Sequence, residues 1–125
     1  MLQAYSLNVT VPADSAVPFN NVILQKGCTA ELSGDATVQL NRCGVYMVEV
    51  NASSATAATI QLFKDGVALP QAQSTGTSPS FETLVQVDKN NSCCACASPS
   101  VIQVKNAGTG SATFTDINIV VTKVV

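Results

Sequence analysis

Apolar and polar residues exchange places at every second position over most of this chain, and no window carries an apolar stripe at i, i+3, i+4 and i+7. A period of two sends successive side chains to opposite faces of an extended strand. The sequence is therefore constrained to sheet structure. Tyr5, Leu7, Val9 and Val11 read as one face of a first strand, with Ser6, Asn8 and Thr10 on the other. Pro12 ends that strand, and Pro12 to Pro18 reads as a loop. Val22-Ile23-Leu24 is a short apolar strand stopped at Lys26-Gly27, and Ala36, Val38 and Leu40 alternate again. Tyr46, Val48, Val50 and Ala52 give the cleanest inward face.

The sharpest local signal is Ile60-Gln-Leu-Phe-Lys-Asp-Gly-Val-Ala-Leu69. Asp65-Gly66 supplies the positive-φ pair of a tight hairpin turn between two apolar arms. Phe81, Thr83, Val85 and Val87 predict a further strand, followed by a polar loop from Asp88 to Ser92. Val101 to Val104 is a strand, Asn106 to Gly110 a turn, and Ala112 to Val124 a closing strand. Ser and Thr interrupt Ala52 to Ala58, which reads as a loop or weak strand rather than a helix. The pattern predicts an all-β sandwich or jelly roll of eight to ten short antiparallel strands. Its 125 residues fit one domain, 1–125, in which residues 1–18 form an N-terminal strand and loop and a candidate attachment arm.

Charge narrows the function. Only 11% of residues are charged, against about 25% in an average soluble domain. Ser, Thr, Asn, Gln and Ala take their place, which makes a surface that other chains can cover at small desolvation cost. The six basic residues stand singly, so the footprint needed to displace counterions from phosphates is missing and nucleic acid is not expected as a partner. Apolar runs are too short to span a bilayer, and no basic amphipathic helix is present, so no membrane partner is expected either. The first residues lack a signal-peptide pattern, which leads to an expectation of synthesis in a cytoplasm.

Chemistry is sparse. Histidine is absent, which removes the commonest general base and most zinc sites. Eight carboxylates remain, of which Glu49 stands out inside an apolar strand. A glycosidase would need two of them a few ångströms apart across a cleft. The expectation is no enzyme, no catalytic residues and no cofactor. Five cysteines are left, with Cys93, Cys94 and Cys96 forming a thiol cluster after an Asn-Asn loop. Three readings stand open: reduced cysteines used as small apolar residues, disulfides within the cluster or to Cys28 or Cys43, and a metal cluster. The Cys-Cys-x-Cys spacing departs from the paired Cys-x-x-Cys of common metal sites.

Three segments carry a resemblance. Gly44-Val-Tyr46 with its alternating strand, the Lys64-Asp-Gly66 turn, and the closing strand Ala112 to Val121 follow one another as in the tumour necrosis factor-like and complement globular-head-like jelly rolls. With Ser80-Phe-Glu-Thr-Leu-Val-Gln-Val87 and the cysteine-rich patch, the chain is similar to members encoded by phages and prophages of Gram-positive gut bacteria. The resemblance implies a homotrimer with threefold closure. It also implies a non-enzymatic virion surface role as a capsid decoration or head-fibre protein, made in the host bacterial cytoplasm and contacting capsid or other virion proteins. A glycan- or host-surface-binding adhesin module is the alternative. Several strands are apolar on both sides, which fits burial of both faces. Val45, Met47, Leu84 and Val120 are the candidate trimer-interface residues.

Overall fold

Ten strands make up the computed structural model, which describes residues 1–27, 29–87 and 100–125. They are β1 (Leu2–Val11), β2 (Asn21–Gln25), β3 (Ala30–Ser33), β4 (Thr37–Leu40) and β5 (Gly44–Ser54). The second half supplies β6 (Ala58–Lys64), β7 (Val67–Gly76), β8 (Ser80–Val87), β9 (Ser100–Asn106) and β10 (Ala112–Lys123). Two five-stranded sheets result, a first in the order β2-β1-β10-β5-β8 and a second in the order β3-β4-β9-β6-β7. Every pairing is antiparallel. The described residues contain no helix. The jelly-roll expectation is met.

The inner faces of the two sheets form one core, where Tyr46, Val48 and Val50 from β5 meet Ile60, Leu62, Ile102 and Val104 from the opposite layer. Tyr46 is fully buried, and its hydroxyl donates to the Arg42 carbonyl at 2.7 Å. Burying a large ring with its one polar atom satisfied gains apolar area without an orphaned group. Gly44 opens this strand at φ +142°, and a Cβ there would collide with the Val125 backbone oxygen. Only glycine fits both demands.

The Asp65-Gly66 turn is as expected, with φ values of 51° and 83°. Asp65 Oδ1 also accepts the Val101 N–H at 2.9 Å, tying the turn to β9. Residues 1–18 are woven into the body. β1 lies between β2 and β10. Beyond it, Asp14 N–H and Val17 N–H donate to the carbonyls of Asn106 and Val104 at 2.8 and 2.7 Å.

One part of the alternation reads differently in three dimensions. Leu2, Ala4 and Ser6 point into the core, while Tyr5 is half-buried and Leu7 is 58% exposed. The phase then reverses, so that Val9 packs on the core and Val11 is buried. Asn8 sits between the two phases at φ 52°. On the partner strand, burial switches in the same place, from Ala112 and Phe114 to Ile117, Ile119 and Val121. Because β1 and β10 reverse phase opposite each other, their register is kept from Leu2↔Val121 to Val11↔Ala112. The expected Tyr5-Leu7-Val9-Val11 face is thereby split at Asn8, with its first half turned outward.

Candidate assembly site

The outer face of the first sheet gathers the residues that make both sides of its strands apolar. Along β5, Tyr46, Val48, Val50 and Ala52 face inward, so Val45, Met47, Glu49 and Asn51 face outward. β8 pairs with β5 so that Met47 lies opposite Leu84, Glu49 opposite Glu82 and Val45 opposite Gln86. On the other side of β5, Val120 of β10 lies opposite Glu49 and Thr122 opposite Met47. All four candidate interface residues, Val45, Met47, Leu84 and Val120, therefore occupy one face and neighbouring strands. Leu84 is 61% exposed, while Val45, Met47 and Val120 are half-buried by their neighbours.

The same face is wider than the sequence reading made it. Leu7 joins it through the phase reversal, and Ile23 of edge strand β2 is exposed on the same side, whereas exposed Val22 pairs with inward-facing Ala4 and lies on the other face. A hollow of about 460 Å³ is lined by Gln3, Tyr5, Ile23, Asp116 and Asn118. Asn118 Oδ1 is buried without a hydrogen-bond partner, a deficit that native domains seldom leave. What would have found these residues is the burial preference of Leu2 and Ala4 at the head of β1, which sets the phase that Tyr5 and Leu7 then follow.

Carboxylates are placed as follows. Glu49 and Glu82 stand side by side on the open sheet face rather than across a cleft, and they border a shallow hollow with Asn51 and Ser80. Asn51 Nδ2 donates to Glu49 Oε1 at 3.0 Å. Glu31 accepts from Asn41 Nδ2 at 3.2 Å on the other sheet. Among the described residues, no group of three or more His, Cys, Asp or Glu side chains is placed to hold a metal ion. Cys43 is a half-buried free thiol. The cluster of Cys93, Cys94 and Cys96 lies outside the described residues, as does Cys28.

No protein-family model matches the chain, and no curated protein does. Solved structures do. The globular domain of zebrafish complement 1qA protein aligns with a TM-score of 0.70 at 12% identity, covering 95% of this chain and 94% of that one. This is the complement globular-head and tumour necrosis factor fold. Murine APRIL aligns at 0.62 with 14% identity and 98% of both chains covered. Eiger TNF from S. frugiperda aligns at 0.58 with 13% identity, covering 99% of this chain and 92% of that one. The shared fold extends over the whole chain, and the resemblance seen in Gly44-Val-Tyr46 and the Lys64-Asp-Gly66 turn is a resemblance of architecture.

Proposed function

We propose that this chain is a non-enzymatic head domain that assembles as a homotrimer through the outer face of its first sheet and is carried on the surface of a phage virion, as a capsid decoration or head-fibre protein. The observation that carries the reading is the face itself. Met47 and Leu84 meet across β5 and β8, Val120 flanks them, and Leu7 and Ile23 are exposed further along the same face, beyond Asp116 and Asn118. Exposed apolar patches of this kind are costly on a monomer and mark surfaces that another protein covers. A cyclic assembly hides the patch in a closed ring and stops open-ended growth. The resemblance read from the Lys64-Asp-Gly66 turn, Ser80 to Val87 and the cysteine-rich patch motivates the virion setting, and the sparse charge suits a surface that packs against other proteins.

Electron microscopy of intact particles from a phage or induced prophage carrying the gene, with the chain tagged at an exposed turn, tests the setting. The proposal expects label at regular positions on the capsid. Label confined to tail tips, or to the host envelope with none on particles, would contradict it and favour the adhesin reading.

A further inference from the structure

We propose that assembly through this face is proton-linked, with Glu49 and Glu82 making it tight in mild acid and loose at alkaline pH. The inference rests on the proposed trimer and names what regulates it. Glu49 and Glu82 are direct cross-strand partners on the outer face, a placement in which like charges repel. Val120 lies opposite Glu49 on its other side, and Met47 and Leu84 form the next outward-facing pair along the same strands. The two carboxylates therefore sit among the apolar residues that assembly would cover.

Little on this sheet offsets their charge. β1 and β2 carry no ionisable side chain except the Tyr5 phenol, β5 carries Glu49 and the inward-facing Tyr46 phenol, β8 carries Glu82, and β10 adds Asp116 and Lys123. Lys123 Nζ donates to the Val125 backbone oxygen at 2.7 Å, at the end of the sheet. Asp116 is a third negative charge. The amide of Asn51 gives Glu49 one hydrogen bond. Removing water from two carboxylates that face no cation is expensive, and an assembly that covers this face imposes that cost on the charged pair. A ring repeats the problem in every subunit. Uptake of a proton by each pair removes it, because a neutral carboxyl can donate a hydrogen bond to its charged partner.

The sign follows from linkage. A carboxyl that holds its proton more tightly in the assembly strengthens that assembly as pH falls, and the gain is lost as pH rises. Sedimentation velocity of the full chain in a metal chelator, at about pH 5 and about pH 8 (above the ordinary carboxylate range), tests this on wild type and on the double variant Glu49→Gln/Glu82→Gln. Circular dichroism at each pH checks that both remain folded. Wild-type assembly should weaken on the order of tenfold per pH unit for each linked proton, and the variant should assemble tightly at both values. Equally tight wild-type trimers at both pH values would overturn the proton link and leave the trimer standing. So would a variant that keeps the wild-type pH dependence. Monomers in both proteins at both values would overturn the trimer reading itself, and this inference with it.

Discussion

The outward faces of the two sheets are built from different materials. On the second sheet, Thr59 and Thr75 share a hydrogen bond at 2.8 Å, Gln103 Nε2 donates to Thr37 Oγ1 at 3.0 Å, and Gln61 Nε2 reaches the Leu69 carbonyl at 3.3 Å. Lys105 lies over the ring of Phe63 at 4.6 Å from its centroid, covering its apolar surface with a charged head that stays wet. Val67, beside the hairpin turn, is the exposed large apolar side chain of that sheet's described strands. The first sheet exposes Leu7, Ile23 and Leu84 on its outward face, and it sets two glutamates against each other. Both faces grow from the same alternating code, so the difference lies in which residues fill the outward positions. One face satisfies itself with amides and hydroxyls. The other leaves apolar groups exposed.

Substitution on the two faces should separate them most strongly in assembly. Met47→Glu places a charge in the centre of the first sheet's patch. It is expected to abolish the trimer at low micromolar concentration by light scattering, because an unpaired buried charge costs several kcal/mol. The fold, read by circular dichroism, should survive. An intact trimer would move the interface away from Met47.

Next come two positive-φ glycines, Gly44 at the start of β5 and Gly66 in the hairpin turn. Gly44→Ala puts a Cβ into the Val125 backbone oxygen at a φ of +142°, and it should cost at least about 2 kcal/mol in chemical denaturation. Gly66→Val has open space around it but the same adverse sign of φ, +83°. It should lower stability by more than about 1 kcal/mol, since a β-branched residue resists that region. If the ranking were reversed, the close approach at Gly44 would not be what holds the end of β10 against β5. The smallest change is expected on the second sheet: Gln61→Glu should alter neither assembly nor stability by more than about 0.5 kcal/mol.

Much of this architecture is legible in local pattern. The Asp65-Gly66 hairpin and the inward face of Tyr46, Val48 and Val50 follow from turn chemistry and period alone. The two-sided character of β5, β8 and β10 likewise points to Val45, Met47, Leu84 and Val120. What local pattern misses is set by distant partners. Nothing near Asn8 in sequence says that the chain reverses phase there, because the reversal is shared with the region around Thr115 on β10. As a result, Tyr5 and Leu7 were expected inside, and Ser6 was not. Ser6 is buried because its hydroxyl donates to the Pro18 carbonyl at 2.7 Å and accepts from Asn20 N–H at 2.8 Å, both contacts made by the returning loop. The Glu49–Glu82 pair is hidden for the same reason: it exists only through the register of β5 on β8.

The trimer is the central claim, and the molar mass of the wild-type chain in solution tests it most directly. Light scattering coupled to size exclusion at low micromolar concentration and about pH 5, within the range where carboxyls begin to protonate, should return the mass of three chains of 12.9 kDa each. A single-chain mass of 12.9 kDa across that range would contradict the assembly and leave the first sheet's apolar face without the partner proposed for it.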